Sequence, residues 1–233
     1  RAYIAATSAF ADGSDSPRAF LERCIEVIEA QEERVGAFAA TNFEGARAAA
    51  DAAGERWKAG KTLSPIDGMP IGIKDIMETA HMPTGQGSPL FTGWDGKRDC
   101  AAVAALRAAG AVVVAKTVTT EFASSHPSTT RNPWDTTRTP GGSSSGSAAS
   151  VGIGMLPAAL GTQVIGSIIR PAGYCGAYGY KPSVGGINRG GSFDDFSQSC
   201  SGVLAATLAD TWTVARAISL RAGGDPGYVG LTG

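Results

Sequence analysis

The chain has 233 residues, of which 43% are hydrophobic and 18% charged, and its net charge is −1. These values are typical of a globular protein with a sizeable core, and without a basic cluster they exclude strong attraction to nucleic acid or anionic lipid. No linker-like shift in composition divides the chain, so we predict a single domain over residues 1–233.

The first two predicted elements are helices. Ser16-Pro17 has the cap-then-proline order that opens a helix. A second helix is predicted from Asn42 to Ala59, with Gly60 as its stop. Each has one apolar face, formed by Leu21, Cys24, Ile25 and Ile28 in the first and by Phe43, Ala46, Ala50, Ala53 and Trp57 in the second.

Buried strands are predicted next along the chain. Residues 64–76 indicate a turn and a strand that ends at Lys74-Asp75. A helix over 99–109, the stop Gly110 and the β-branched run 111–115 form a unit suited to a parallel sheet. After an irregular loop over 125–142, a last helix is predicted over 207–222. This order of elements predicts the α/β class, with a β-sheet flanked by helices.

The stretch from Gly141 to Ile169 contains no charged residue. Its many glycines and serines interrupt the apolar core that a membrane span needs. A flexible linker would not continue into the apolar residues 147–161, which require burial. Because buried hydroxyl groups must be hydrogen-bonded, we interpret the stretch as the wall of a site that uses them.

Two common motifs fit this stretch poorly. Residues 142–146 match GxSxG, but that nucleophile elbow needs a later histidine, and the last histidine is His126. Residues 161–167 mimic a phosphate-binding loop without its lysine. A nucleophilic serine would therefore need another base. Lys74, which lies among isoleucines, suits that role if burial lowers its pKa, and the alternative is a structural ion pair.

Four segments together resemble the amidase signature family. They are GIKD at 72–75, TPGGSSSGSAA at 139–149, GTQVIGS at 161–167 and RPA at 170–172. The resemblance covers most of residues 60–210, with the motifs in the family's order. It implies a mixed β-sheet flanked by helices. Family members are usually much longer, so we expect the C-terminal portion of the fold to be absent from this chain.

The resemblance also implies a Ser–Ser–Lys arrangement. By motif position Ser167 is the nucleophile, Ser143 the bridging serine on a cis peptide bond and Lys74 the terminal base. The implied oxyanion hole consists of the backbone N–H groups of Val164, Ile165, Gly166 and Ser167, and Ser144 is expected to support Ser143 by hydrogen bonding. The implied substrate-binding residues are Arg170, Gly142 and Thr162.

Two departures from the family pattern concern specificity. Ile165-Gly166 stands where most members have two glycines, and Arg170 follows the nucleophile by three residues rather than two. The arginine position and the MPTGQGS segment at 82–88 are similar to the malonamidase-like branch, whose arginine implies a substrate carboxylate. The alternative for Arg170 is an ion pair with Asp135 or Asp195.

The leading functional hypothesis is hydrolysis of a non-peptide carbon–nitrogen bond in a small, carboxylate-bearing amide such as a malonamate. One alternative is the ammonia-releasing amidase subunit of a tRNA-dependent amidotransferase, against which Ile165 and Arg170 count. Another is a catalytically silent binding subunit, against which the complete triad counts. The expected partner is a small-molecule amide, with no nucleic acid and no membrane, and a homodimer is left open.

The remaining polar residues carry weaker expectations. The separated cysteines Cys24, Cys100, Cys175 and Cys200 are predicted to be buried free thiols, and we expect no metal site and no cofactor. Nothing after Arg1 resembles a signal peptide, so the cytoplasm is expected. Asp75, Glu121, Asp194 and Asp195 are left open between structural and cleft-lining roles, and His126 is interpreted as a solvated loop residue.

Overall fold

A computed structural model describes residues 1–194 and 196–232. Its centre is a six-stranded sheet with the strand order β1-β3-β2-β4-β6-β5. The strands are β1 Phe38–Thr41, β2 Pro70–Lys74, β3 Val112–Thr117, β4 Ala158–Gln163, β5 Tyr178–Tyr180 and β6 Cys200–Ala205. The central strands β3, β2 and β4 are parallel, whereas β1, β6 and β5 pair antiparallel with their neighbours. The predicted mixed sheet is confirmed.

Helices cover both faces of this sheet. They are α1 Thr7–Ala11, α2 Pro17–Val35, α3 Phe43–Lys58, α4 Ala101–Ala108, α5 Ser145–Gly152, α6 Ile169–Cys175 and α7 Leu208–Ala222, with short 3-10 turns at Ile4–Ala6, Pro89–Phe91 and Glu121–Ala123. One apolar cluster packs α4 and α7 against Ile71, Ile73 and Val113. A second cluster packs α5 and α6 against Val112 and Val114 from the other face. The alternation of β3 side chains between two cores is what a fully buried central strand requires.

The predicted helix starts are present. Ser16 caps α2, where its hydroxyl accepts a hydrogen bond from the Ala19 N–H at 3.1 Å. Asn42 caps α3 in the same way, with its side-chain oxygen 3.1 Å from the Gly45 nitrogen. None of the helices in the described part of the chain combines the length and the apolar composition that a membrane span requires. The four cysteines are buried free thiols, as predicted.

The glycine–serine stretch folds against the sheet instead of forming a linker. At Gly146 in α5 a Cβ atom would lie 2.1 Å from the oxygen of Ala37, the residue directly before β1, so only glycine permits this close approach of the helix. The buried hydroxyl groups are hydrogen-bonded: Ser147 Oγ donates to Leu160 O at 2.8 Å, and Ser150 Oγ donates to Ser147 O at 3.1 Å. Small side chains therefore bring α5 close to β4, and the loop before α5 lies at the carboxyl ends of the parallel strands.

Candidate active site

The candidate site lies where two parallel strands end. Strands β2 and β4 pair with Ile73 opposite Leu160, which puts Lys74, the last residue of β2, beside Thr162 near the end of β4. Carboxyl ends of parallel strands commonly carry ligand sites because the loops that follow them converge there. The loop over 164–168, which contains Ser167, directly follows β4.

Lys74 is fully buried, and its amine contacts hydroxyl groups. Its Nζ lies 2.7 Å from Ser143 Oγ and 2.8 Å from Thr162 Oγ1. Burial lowers the pKa of Lys74 to about 7, because the charged form loses its hydration, while the negative charge of Asp194 acts in the opposite direction. The structural ion pair considered for Lys74 is absent from the described residues. Because its pKa is about 7, a large fraction of the amine is neutral near pH 7.

Ser143 and Ser144, directly before α5, link this lysine to the nucleophile loop. The Gly142–Ser143 peptide bond is cis, and the Ser143 side chain is buried against Lys74. The Ser144 N–H donates to the Ser167 carbonyl at 3.2 Å, which ties the two loops together. The Ser144 hydroxyl lies 3.4 Å from the Thr162 carbonyl and not on Ser143, so Ser144 holds the loops and not the Ser143 hydroxyl.

Ser167 and Ser143 line one cleft of about 790 Å³. The Ser167 side chain is half-buried, and among the described residues its hydroxyl makes no hydrogen bond. Four backbone N–H groups beside it also have no acceptor within the described part of the chain, those of Val164, Ile165, Gly166 and Ser167. The Ile165 side chain is 93% exposed, so this departure from the family pattern does not fill the cleft.

The three residues expected to bind substrate have different surroundings. Arg170 lines the cleft, and its Nε and Nη2 atoms donate to the Gly142 carbonyl at 3.2 and 2.6 Å. Gly142 is buried, and Thr162 is buried with its hydroxyl group 2.8 Å from the Lys74 amine. Asp135, one ion-pair candidate for Arg170, instead lies 3.5 Å from Arg138. Asp195, the other candidate, lies outside the described residues.

Besides Asp194, which was left open, the structure adds cleft residues to which no site role had been assigned. Gln86, Phe122, Ala123, Phe193, Asp194 and Phe196 line the same cleft as Ser167. Gln86, Phe122 and Ala123 have φ angles of 55°, 49° and 54°, in the left-handed region that non-glycine residues seldom adopt. Such backbone strain clusters at functional sites, but it has no signature in the sequence.

Gln163 is a further residue that sequence reasoning missed. Its side chain lies behind the Ser167 loop and hydrogen-bonds to three backbone groups of that loop and of the start of α6. The sequence signal was its position at the end of a strand, directly before the nucleophile loop. The sequence alone does not distinguish this glutamine from other polar residues at strand ends.

The polar residues left open fall into separate places. Asp194 lines the cleft and forms no salt bridge within the described residues. Asp75 is buried and pairs with Lys116, with 2.9 Å between Asp75 Oδ1 and Lys116 Nζ, so its role is structural. Glu121 and His126 line a different cavity, and His126 is exposed as expected.

Comparisons with known proteins agree with this geometry. A family model described as Amidase matches residues 19–230. A glutamyl-tRNA(Gln) amidotransferase subunit of Chloroflexus aggregans is 42% identical over 95% of this chain and 46% of its own length. The peptide amidase structure from Stenotrophomonas maltophilia is 32% identical with a TM-score of 0.84, and the match covers 94% of this chain and 47% of that one.

A third similar protein also belongs to an amidotransferase. The crystal structure of the corresponding glutamyl-tRNA(Gln) amidotransferase subunit from Thermotoga maritima is 31% identical with a TM-score of 0.73, over 90% of this chain and 44% of that one. This chain therefore spans about half the length of the relatives it matches.

These relatives correct one prediction. A small-molecule amide as the only partner, with nucleic acid excluded, is wrong, because the similar curated proteins are named as one subunit of an enzyme for glutamyl-tRNA(Gln). The error has a physical cause. Net charge and basic clusters describe only the surface of this chain, whereas one protein of a complex can act while another chain holds the RNA.

Proposed function

The chain belongs to the amidase family, and from that premise we propose that Ser167 attacks an amide carbonyl while Ser143 and Lys74 carry its proton. The observation that supports this most directly is the 2.7 Å contact between the buried Lys74 amine and Ser143 Oγ. An amine with a pKa of about 7 can accept a proton at neutral pH, which an ordinary lysine cannot.

The proposed steps balance as a hydrolysis. Neutral Lys74 takes the Ser143 proton as Ser143 takes that of Ser167, and the Ser167 oxygen bonds to the amide carbon. Backbone N–H groups of the 164–167 loop stabilise the resulting oxyanion. The relay returns the proton to the departing nitrogen, which leaves as ammonia. In the second half, the same relay takes a proton from a water molecule, which attacks the acyl-enzyme. The acid is released and the Ser167 hydroxyl is restored.

We further propose that the amide is the side chain of glutamine and that the ammonia serves a glutamyl-tRNA amidotransferase. Curated relatives at 41–43% identity over 88–95% of this chain carry that name. The cleft supports the same choice. Asp194 is nearly buried there without a cation partner among the described residues, so it favours a substrate that brings a positive charge, such as the α-ammonium group of glutamine.

The alternative substrate, a small amide that carries only a carboxylate, fits the cleft less well. Its negative charge would meet Asp194, and like charges in a poorly hydrated cleft repel. Arg170 was the expected carboxylate ligand, but two of its three nitrogens already donate to Gly142 O. The Nε–Nη2 edge of its guanidinium is therefore taken by Gly142, and a carboxylate would have to use the remaining N–H groups of Nη1 and Nη2.

The test is ammonia release from glutamine and from malonamate by the wild type and by Ser167→Ala, Lys74→Ala and Asp194→Asn. We expect glutamine to be preferred, both triad variants to lose activity, and Asp194→Asn to raise KM for glutamine more than for malonamate. Preference for malonamate with no effect of Asp194→Asn would favour the small-amide hypothesis. Undiminished activity in Ser167→Ala would reject the site itself.

The tRNA-dependent part needs a separate assay. The wild type is mixed with glutamine, glutamyl-tRNA and the partner subunits of a related amidotransferase, and formation of glutaminyl-tRNA is measured. Amide transfer that depends on Ser167 would support the proposal. Glutamine hydrolysis that never couples to tRNA would limit the function to that of a free-standing amidase.

A further inference from the structure

The side chain of Gln163 braces the loop that carries Ser167. Gln163 is the last residue of β4 and is 5% exposed. Its Oε1 accepts hydrogen bonds from the N–H groups of Ile168 at 2.7 Å and Ile169 at 2.9 Å. Its Nε2 donates to the Ile165 carbonyl at 3.1 Å. Because backbone N–H groups only donate and carbonyls only accept, these contacts fix which end of the amide is oxygen.

These contacts orient the peptide planes of the loop. In a trans peptide the C=O and the following N–H point in opposite directions, so an Ile165 carbonyl turned toward Gln163 directs the Gly166 N–H away from it. The Gly166 carbonyl accepts from the Arg170 N–H at 2.9 Å, which directs the Ser167 N–H away from α6 in the same manner. Both N–H groups lack acceptors within the described residues, and both residues line the cleft.

We propose that Gln163 is a positioning residue that holds the Ile165–Gly166 peptide with its N–H toward the cleft, where an oxyanion forms. This inference rests on the proposed function. The donor atom Nε2 is the critical one, because Oε1 alone would fix the start of α6 and leave the Ile165 carbonyl free to turn toward the cleft. A turned carbonyl would place an acceptor where the oxyanion needs a donor.

Gln163→Glu tests the donor with little change of shape. When protonated, the introduced carboxyl can accept from Ile168 and Ile169 and donate to the Ile165 carbonyl, as glutamine does. When ionised, it has no donor and repels that carbonyl. We expect kcat at pH 8 to fall on the order of 10²–10³-fold with KM within a few-fold, the effect of losing one oxyanion donor. The ratio of variant to wild-type kcat should recover as pH falls.

Gln163→Met is the matched control, since it removes donor and acceptor together. The ratio of its kcat to that of the wild type should therefore not change with pH. A Gln163→Glu ratio that stays near one from pH 6 to 8 would overturn the inference, and so would a constant deficit equal to that of Gln163→Met. If Gln163 had a purely structural role, both variants would have a lower melting temperature. The ratio of variant to wild-type kcat would then be the same at every pH.

A readout without catalysis separates this inference from the proposed function. Crystal structures of the wild type and Gln163→Glu at pH 8 show the direction of the Ile165–Gly166 peptide. We expect it to be reversed in the variant, with the Ile165 oxygen facing the cleft, and an unreversed peptide would refute the inference. If the wild type released no ammonia and a fluorophosphonate failed to label Ser167, the proposed function would fail, while the peptide direction would still decide the role of Gln163.

Discussion

Replacing Lys74 with methionine should change stability in a way that depends on pH. The pKa of Lys74 is about 7 in the folded protein and 10.5 in its ordinary state, so between these values the unfolded chain binds the extra proton. Folding is then favoured as pH rises. From pH 7 to 9, the linkage relation predicts that the titration of Lys74 raises the free energy of unfolding by about 2 kcal/mol. Below pH 7 this increase is absent.

Lys74→Met has no proton to bind at this position. The free energy of unfolding of the wild type minus that of the variant should therefore rise by about 2 kcal/mol from pH 7 to 9 and be flat from pH 5 to 6. The measurement is urea denaturation at each pH, followed by circular dichroism. Other titrating groups occur in both proteins and cancel in the difference.

Activity gives the second half of this test. Only neutral Lys74 can take the Ser143 proton, so the wild-type rate should rise with pH and level off above about pH 7. The variant should lose on the order of 10²–10⁴-fold in kcat. A stability difference that stays constant from pH 7 to 9 would refute the reasoning, because Lys74 would then carry the same charge folded and unfolded throughout that range.

Further predictions concern the surroundings of this site. Asp194→Asn should move the midpoint of the rate profile to lower pH, since the Asp194 charge raises the pKa of Lys74, and an unmoved midpoint would contradict this. Gln86→Leu should raise the free energy of unfolding by about 1 kcal/mol, because the Gln86 Nε2 is buried without a partner among the described residues; calorimetry measures it. Gly146→Ala should destabilise by about 1–3 kcal/mol or more, whereas Gly54→Ala in α3, with no atom within 4 Å, should be neutral or stabilising in the same melt.

The parts of the fold that followed from local pattern were predictable. The caps Ser16 and Asn42 and the run at 111–115 gave helices and a strand at or near the expected positions. Strands β1, β4, β5 and β6 were not predicted, because they are short or rich in small residues and owe their form to pairing with neighbours. Helix α5 was missed for a related reason. Its serines and glycines are poor helix formers, and tertiary packing against β4 overrides that propensity.

The site divides along the same line. Lys74 and Ser143 could be paired in advance because motif positions determine them, and the structure brings these two side chains into contact. The brace by Gln163 could not be predicted, since it depends on where a loop returns after five residues. The surroundings of Arg170 could not be anticipated for a comparable reason: the sequence does not reveal that the Gly142 carbonyl accepts hydrogen bonds from one edge of its guanidinium group.

Two buried lysines show why the partner atoms, and not burial alone, decide which amine can act as a base. Lys74 and Lys116 lie on adjacent parallel strands, with Ile73 opposite Lys116, so their side chains point to opposite faces of the sheet. Burial lowers the pKa of both amines, but at Lys116 the Asp75 carboxylate, 2.9 Å away, opposes that shift, whereas Lys74 contacts hydroxyl groups. Lys116→Met should therefore lower the free energy of unfolding by about 3–5 kcal/mol, because it leaves Asp75 buried without its cation. The variant protein that remains folded should keep its Ser167-dependent activity. If unfolding experiments at pH 7 showed that Lys116→Met loses no more stability than Lys74→Met, the ion pair between charged Lys116 and Asp75 would be refuted. The contrast that makes Lys74, and not Lys116, the base would then fail as well.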